Sequence, residues 1–394
     1  MSDPVVIVGY ARTPIGSFQG ALSALAATEL GSLAVKAAVG RAEVANDAID
    51  RIYMGCVLPH GLKQAPARQA AMGAGLPTSV EATTINKMCG SGMQAAMMAA
   101  DAIAAGSASI VVAGGMESMS NAPYLLAKHR SGARIGHDSV FDSMYLDGLE
   151  DAYTGKAMGV FAEDAARSYQ FTREEQDEYA LRSLTRASHA ISTGAFADEI
   201  IPVNVAGRAG NVVIDTDEQP SKAKREKIPT LKPAFAKDGT ITAANSSSIS
   251  DGAAALVMTR LSVAKALGLP IVARVVAQGA HAQEPGLFTT APAPAIRKVL
   301  ERAGWSVADV DLFEVNEAFA VVAMIAQREL GVSSDRLNVN GGACALGHPI
   351  GASGARIIAT LISALKARGG ARGVASLCIG GGEATAIALE LMGG

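Results

Sequence analysis

The chain has 394 residues, which is enough for two or three domains with a sizeable core. Its net charge of −3 argues against a nucleic-acid partner, and the sequence has no long basic run that would favour an anionic membrane. Apolar residues make up 49% and aromatic residues only 4%, so the core must consist mainly of small and aliphatic side chains. Together with 42 glycines, this composition favours an α/β protein.

The four cysteines are far apart in the sequence, with no CxxC pair and no histidine at ligand spacing. This spacing argues against a disulfide framework and against a structural zinc site. We therefore expect free thiols in a reducing compartment. The chain start lacks the pattern of a signal peptide and its end is no peroxisomal address, so the expected location is cytoplasmic.

The first part of the sequence alternates apolar runs with glycine-rich turns. Residues 93–115 are apolar and long enough to be considered as a membrane-spanning segment. Asp101 within the run and the break at Gly106-Ser107 instead favour a buried helix followed by a buried strand. The elements predicted here are a strand at 5–9, a helix at 28–40, a strand at 52–55, a helix at 88–105 and a strand at 109–115.

Residues from about 118 to 248 are more polar. Thr172 and Glu175 form a capping-box pattern, which predicts a helix to about Ser192. Residues 220–237 are rich in Lys, Arg and Pro and predict an exposed excursion. Its cations could meet the phosphates of a nucleotide-bearing ligand, although a solvated face is the default interpretation. These cations are Lys222, Lys224, Arg225, Lys227, Lys232 and Lys237.

The last part returns to an α/β pattern. The predicted elements are strands at 251–258, 271–277, 313–315 and 374–377, and helices at 294–303, 318–330 and from the His348 turn to Lys366. Both halves end with a glycine-rich turn, a helix, a strand and further glycines. This similarity indicates a duplicated α/β unit, with the polar middle inserted into the first copy.

Four side chains could carry chemistry, and each also has an ordinary structural explanation. Cys89 precedes a helix, where backbone N–H groups and the helix dipole favour a thiolate, but it could equally be a small buried residue. His348 lies in a glycine-dense loop and could deprotonate a thiol or be a satisfied turn residue. Cys378 ends an apolar strand, where α/β sheets present their ligands, or is simply packed. Asn316 could donate to an oxyanion or cap a helix.

The ordered set of motifs resembles the signature blocks of the thiolase family, over essentially the whole of residues 5–391. These blocks are Asn-Lys-Met-Cys-Gly-Ser-Gly-Met at 86–93, Gly-Gly-Met-Glu-Ser-Met-Ser at 114–120, Asn-Glu-Ala-Phe-Ala at 316–320, Asn-Val-Asn-Gly-Gly-Ala at 338–343, Gly-His-Pro-Ile-Gly-Ala-Ser-Gly-Ala-Arg at 347–356 and Cys-Ile-Gly-Gly-Gly at 378–382.

The resemblance implies an α/β fold with a five-layered αβαβα body. Each of its two duplicated halves would hold a five-stranded mixed sheet, with a loop domain inserted into the first. Applied to this sequence, residues 1–118 with 249–269 would form the first half, 119–248 the loop domain for substrate binding and oligomerisation, and 270–394 the second half. Relatives are dimers or tetramers, so a homo-oligomer is also implied.

The resemblance also implies a role for each candidate residue. Cys89 would attack an acyl-CoA thioester and carry the acyl group. His348 would take the proton from Cys89 and, with a water held by Asn316, bind the thioester oxygen. The backbone N–H groups of Cys89 and Gly380 would form a second oxyanion site. Cys378 would exchange a proton with C2 of acetyl-CoA.

Coenzyme A is the acyl carrier in this family, and no metal or redox cofactor is needed for the chemistry. Dependence on a monovalent cation is left open by the sequence. The residues expected to line the pantetheine tunnel are Leu149, Phe235, Ala243, Ser247, Ala318 and Phe319. Met158 resembles the residue that restricts the acyl pocket in short-chain biosynthetic relatives. Ala157, where a histidine is frequent, and Phe288, where some relatives have Met, leave room for a wider or branched acyl group.

The activity expected from these features is the reversible condensation of two acetyl-CoA molecules to acetoacetyl-CoA and CoA. The nearest alternative is a degradative 3-ketoacyl-CoA thiolase with longer or branched substrates. A non-catalytic acyl-CoA or lipid-binding protein should lack one of the four reactive side chains, and all four are present. Decarboxylating ketosynthases typically have a histidine where Cys378 stands.

Overall fold

A computed structural model describes residues 3–207 and 210–392. The strands are β1 Val5–Arg12, β2 Gly16–Ser17, β3 Arg51–Gly55, β4 Glu81–Ile85, β5 Ile110–Ser118, β6 Tyr124–Leu125, β7 Phe141–Asp142, β8 Val203–Gly207, β9 Gly210–Ile214, β10 Ser250–Arg260, β11 Ala273–Ala282, β12 Leu312–Val315, β13 Arg372–Ile379 and β14 Glu383–Leu391. The α-helices are α1 Ala27–Arg41, α2 Pro66–Gly73, α3 Ser91–Ala104, α4 Met158–Ser168, α5 Arg173–Ser192, α6 Gln219–Lys222, α7 Leu261–Leu267, α8 Pro292–Ala303, α9 Ala320–Leu330, α10 Ala343–Leu346 and α11 Ser353–Arg368.

The main sheet repeats one pairing pattern twice, in the order β12-β13-β14-β11-β1-β10-β5-β3-β4. In the first half, β1, β10 and β5 pair antiparallel, and β5, β3 and β4 pair parallel. In the second half, β11, β14 and β13 pair antiparallel, and β13 and β12 pair parallel. A parallel bridge from Phe313 to Leu337 stands where a fifth strand was expected. The repeat confirms the predicted duplication, with four strands rather than five in the second half.

Helices cover both faces of each half. Helices α1 and α2 pack on the first half through a core of Leu, Val and Ala side chains. Helices α3 and α11 lie together against the other face of both halves. Helices α8 and α9 complete the second half on its opposite face. This arrangement confirms the five-layered αβαβα body.

Two glycines allow α3 and α11 to approach closely at their N-termini. A Cβ atom at Gly92 would lie 2.8 Å from the backbone nitrogen of Ala355, and one at Gly354 would lie 2.3 Å from the backbone nitrogen of Met93. Any larger residue at either position would push the helices apart. The loop before α3 carries Cys89 and the loop before α11 carries His348, so this contact places the two loops side by side.

Most predicted elements are present, with shifted ends. Strand β1 continues to Arg12, whose buried guanidinium pairs with Glu199 at 2.6 Å and with Asp217 at 2.7 Å. The predicted helix at 88–105 begins at Ser91, because Met88 has a φ of +46° and cannot be helical. The predicted strand at 271 begins at Ala273. The capping box of Thr172 and Glu175 is present and opens α5 as predicted.

The apolar run at 93–115 forms α3 and β5, as predicted. Among the described residues, no helix is long and apolar enough to cross a membrane. The three-part division at 118, 248 and 269 stays a proposal. Its support is that β5 and β10, which flank residues 119–249, pair along their whole length from Asp251–Ser118 to Thr259–Ile110.

Candidate active site

One cavity of about 730 Å³ brings most of the predicted site residues together. Cys89, His348, Cys378 and Gly380 all line it. All eight residues expected to bind the acyl group or coenzyme A line it as well. These eight are Leu149, Met158, Phe235, Ala243, Ser247, Phe288, Ala318 and Phe319. Asn316 is buried and is not among the lining residues.

Cys89 is held in a tight turn directly before α3. Met88 adopts the left-handed conformation, and its backbone N–H donates to Asn86 Oδ1 at 3.0 Å. The Ser91 hydroxyl donates to the Met88 carbonyl at 2.6 Å and accepts from the Lys87 N–H at 2.9 Å. A non-glycine residue in this conformation costs about 1 kcal/mol or more, which the surrounding hydrogen bonds must offset. The turn therefore fixes where the thiol points.

The Cys89 thiol is protonated at neutral pH. Burial raises its pKa to about 11, and the backbone N–H groups of Gly380 and of Cys89 itself only partly oppose this shift. Backbone N–H groups do favour the Cys89 thiolate, as the sequence suggested, but in the resting site the loss of hydration outweighs them. A base must remove the proton when the substrate reacts.

His348 is suited to be that base. Its Nδ1 lies 2.5 Å from the Ser353 hydroxyl, which lies 3.0 Å from the Pro349 carbonyl. Both hydrogen bonds form together only if Nδ1–H donates to Ser353, which leaves the lone pair on Nε2. Within the described chain, Nε2 has no hydrogen-bond partner. Burial and the nearby Arg356 lower the His348 pKa to about 3, so the imidazole is neutral.

Asn316 is positioned from behind the cavity wall by a buried ion pair. The Arg356 guanidinium pairs with Glu314 at 3.1 Å and contacts the Asn316 Oδ1 at 3.4 Å. This contact directs the amide nitrogen away from Arg356, and Nδ2 has no partner among residues of the described chain. A buried amide donor without a partner needs a water or a ligand. Asn316 is not a helix cap, because α9 begins only at Ala320.

Cys378 is the penultimate residue of β13 and lines the same cavity as Cys89. Burial raises its pKa well above the usual range, and the neighbouring Cys89 raises it further, so both thiols are protonated at rest. Gly380 follows two residues later, and a Cβ atom there would lie 3.4 Å from the Met158 methyl group. Met158 thus closes the space beside the backbone N–H that faces Cys89.

Aromatic rings form the apolar side of the cavity. The ring of Phe288 lies 6.4 Å from that of Phe319 and 6.4 Å from that of Phe161. Phe319 also packs edge-to-face on Phe235 at 6.0 Å. Phe161 does not line the cavity, whereas the other three rings do. These contacts give the apolar wall a fixed shape.

Two members of the basic cluster also line the cavity, namely Lys224 and Lys227. They follow α6 and place positive charge at one part of an otherwise apolar wall. The other four cations of the cluster are not among the lining residues. All six cations are exposed, which agrees with the solvated-face interpretation, and two of them also border the cavity.

Two residues that support the cavity were not predicted from the sequence. Ser353 fixes the tautomer of His348, and Glu117 connects the loops around the cavity. The buried Glu117 carboxylate accepts backbone N–H groups of Val57 at 3.0 Å, Leu58 at 3.1 Å and Gly351 at 2.9 Å. Both residues lie inside the quoted motifs, and a charged residue within an apolar run was the available signal for Glu117.

Residues 3–207 and 210–392 contain no group of three or more His, Cys, Asp or Glu side chains placed to hold a metal ion. The four cysteines are free thiols. The groups that line the cavity include the thiols of Cys89, Cys344 and Cys378, the His348 imidazole and the backbone of Gly380. Such a set suits acyl transfer through a covalent thioester.

Comparisons with known proteins agree with this geometry. Residues 5–262 match the thiolase N-terminal domain and residues 269–391 match the thiolase C-terminal domain. Acetyl-CoA acetyltransferase 2 of Arabidopsis thaliana is 52% identical over 391 residues, covering 98% of this chain and 97% of that protein. An acetyl-CoA acetyltransferase of Escherichia coli is 49% identical over 387 residues and 98% of each chain. The crystal structure of the Bacillus anthracis acetyl-CoA acetyltransferase superposes with a TM-score of 0.96 at 43% identity, covering 99% of each chain. The chain belongs to the thiolase family.

Proposed function

We propose that the protein is an acetyl-CoA C-acetyltransferase, which condenses two acetyl-CoA molecules to acetoacetyl-CoA and CoA and catalyses the reverse cleavage. The observation that carries this proposal is the meeting of Cys89, Cys378, the neutral imidazole of His348 and the Gly380 backbone at one largely apolar cavity. Relatives at about half identity over nearly the whole chain bear the name acetyl-CoA acetyltransferase.

The first half-reaction transfers an acetyl group to Cys89. His348 Nε2 takes the thiol proton as sulfur attacks the thioester carbonyl of acetyl-CoA. The backbone N–H groups of Cys89 and Gly380 stabilise the tetrahedral oxyanion, and one such donor is worth about 3 kcal/mol in comparable sites. The departing CoA thiolate then takes the proton from His348, so the products are acetyl-Cys89 and CoA.

The second half-reaction forms the carbon–carbon bond. Cys378 passes its own proton to the neutral His348 and then removes a C2 proton from the second acetyl-CoA. The enolate oxygen accepts hydrogen bonds from the protonated His348 and from a water held by Asn316. The enolate carbon attacks the acetyl group, and the Cys89 thiolate leaves with the proton from His348. In cleavage, Cys378 returns its proton to C2.

Coenzyme A is proposed to enter past Lys224 and Lys227, whose ammonium groups suit its phosphates. Its thin pantetheine arm would follow the wall of Leu149, Phe235 and Ala318 toward Cys89. This wall is uncharged, which suits a ligand with few ionic groups in its middle section. No metal or redox group has a part in these steps, and a role for a monovalent cation stays undecided.

A degradative thiolase acting on longer or branched chains is the second candidate. The observation in its favour is that Ala157 presents only a methyl group to the cavity beside Met158. The rings of Phe288 and Phe319 oppose it, because both line the cavity and limit the room for a longer chain. The acyl-chain preference is therefore the property that separates the two candidates.

A homo-oligomer, dimeric or tetrameric, is also part of the proposal. The region 124–153 exposes an unusual number of large apolar side chains for a monomer, which is a feature of interaction surfaces. These side chains are Tyr124, Leu126, Ile135, Val140, Phe141, Tyr145, Leu146 and Tyr153. Light scattering on the purified protein tests this. The expected cytoplasmic location stays a prediction.

The covalent intermediate tests the mechanism most simply. Incubation with acetyl-CoA should add the mass of one acetyl group to the peptide that contains Cys89, in wild type and in Cys378→Ala. The acetylated Cys378→Ala variant should accumulate, because it cannot form the enolate of the second substrate. An unmodified Cys89 peptide, or acetylation at Cys378 instead, would contradict the assigned roles.

A further inference from the structure

One ion pair joins the two loops that carry the reacting groups. Lys87 Nζ pairs with the carboxylate of Glu383. Lys87 stands two residues before Cys89 in the first half, and Glu383 stands three residues after Gly380 in the second. The two side chains are 25% and 35% exposed, so their replacement leaves no buried charge and should be tolerated by the fold.

The backbone on each side of the pair is tightly constrained. On one side, Lys87 and Cys89 bridge each other around Met88, whose φ is +46°. On the other side, Glu383 pairs with Ile379 and closes the turn that contains Gly380. A link between Lys87 and Glu383 therefore fixes the turn that carries Cys89 relative to the turn that contains Gly380.

We propose that the Lys87–Glu383 ion pair is a positioning device that fixes the turn that carries Cys89 relative to the turn that contains Gly380. It rests on the proposed function, because it gives the pair a role in acetylation of Cys89. Neither side chain lines the cavity or touches the reacting atoms. Both act through the backbone that they fix.

Positioning can be separated from a direct electrostatic effect by comparing the direction in which two substitutions change the reactivity of Cys89. A direct field predicts opposite changes, since loss of the Lys87 cation disfavours the Cys89 thiolate and loss of the Glu383 anion favours it. Positioning predicts the same change from Lys87→Met and from Glu383→Gln, because each breaks the same link. It also predicts that the double variant is no worse than either single variant.

The experiment measures the rate constant of Cys89 acetylation by acetyl-CoA, and the pH profile of Cys89 alkylation by iodoacetamide, both followed on the Cys89 peptide by mass spectrometry. We expect each single variant and the double variant to acetylate about three- to fivefold more slowly, with unchanged half-saturation by acetyl-CoA, as an ion pair of this exposure allows. The alkylation profile should move to higher pH in all three. Lys87→Arg, which keeps the pair, should stay within about twofold of wild type.

The matched control is Glu329→Gln, which removes a similarly exposed ion pair with Arg297 on helices α8 and α9, away from the cysteines. It should change neither readout. Opposite shifts in the two single variants, additive effects in the double variant, or rates equal to wild type would overturn the positioning role. Wild-type acetylation is measured in parallel, and its absence would refute the proposed function itself.

Discussion

Replacing Phe288 by alanine should widen the acyl pocket and change the preferred chain length. The Phe288 ring is 2% exposed and forms part of the cavity wall between Phe161 and Phe319. Its removal opens space next to Met158, where the chain beyond the first carbons of a 3-ketoacyl group would lie. The substitution therefore tests whether this ring restricts the substrate.

The expected size of the effect follows from the added apolar contact. A six-carbon substrate has two more methylene groups than acetoacetyl-CoA, and each buried methylene contributes about 0.8 kcal/mol. Two methylenes thus contribute about 1.6 kcal/mol, which corresponds to roughly a 15-fold rise in the ratio of kcat/KM values for six-carbon over four-carbon substrates. The unfolding free energy should fall by about 3 to 5 kcal/mol, because the deleted ring is in the core.

The assay is thiolysis of four- and six-carbon 3-ketoacyl-CoA by wild type, Phe288→Ala and the matched control Phe161→Ala. Phe161 belongs to the same ring cluster but does not line the cavity, so its loss should lower stability without changing the substrate ratio. The milder Phe288→Leu covers the case in which the alanine variant does not fold. An unchanged ratio in a folded Phe288 variant, or an equal shift in Phe161→Ala, would refute this account of the pocket.

Three further predictions concern the proton on His348, the charge of Glu117 and the binding of coenzyme A. Ser353→Ala removes the partner of His348 Nδ1 and should lower kcat roughly tenfold at unchanged KM, as loss of one hydrogen bond allows; equal kcat would contradict the tautomer assignment. Burial raises the pKa of Glu117 from the usual 4.5 to about 7. The protonated carboxyl group therefore stabilises the folded state fully below pH 4.5, and this stabilisation is lost as the pH rises through 7. The unfolding free energy of wild type should therefore fall by up to about 3 kcal/mol more than that of Glu117→Gln between these pH values, as followed by denaturant unfolding; parallel curves would contradict it. Replacing Lys224 and Lys227 by glutamine should raise the KM for CoA roughly tenfold and make this KM less dependent on salt, with kcat unchanged. An unchanged KM would mean that the two lysines are only part of a solvated face.

Local patterns predicted the regular elements well where one element contains its own signals. The capping box at Thr172 opens α5 because its hydrogen bonds lie within four residues. Element ends that depend on distant partners were missed. Strand β1 reaches Arg12 because β10 pairs with it as far as Ala254 and because Glu199 and Asp217 meet the buried guanidinium, and all three partners are distant in the sequence. Strand β14 was not predicted, since its small residues resemble any Ala-rich segment.

The reactive residues could be found from the sequence only as an ordered set. Cys89, His348 and Cys378 each have an ordinary structural explanation, and only their joint motifs made them candidates for the proposed chemistry. Their protonation states could not be predicted, because the Cys89 thiol sits at a helix start that favours a thiolate and in a buried place that opposes one. No sequence pattern connects Glu383 with its partner Lys87, which lies 296 residues away.

Cys89 is proposed to carry the acyl group in a short-chain thiolase. Cleavage of acetoacetyl-CoA with free CoA tests it most directly, with wild type and Cys89→Ala compared on 3-ketoacyl-CoA substrates from four to ten carbons. The wild-type activity should be greatest with the four-carbon substrate, and Cys89→Ala should have no activity. Wild-type activity that rises with chain length would contradict the short-chain assignment, and activity retained in Cys89→Ala would contradict the role of the thiol.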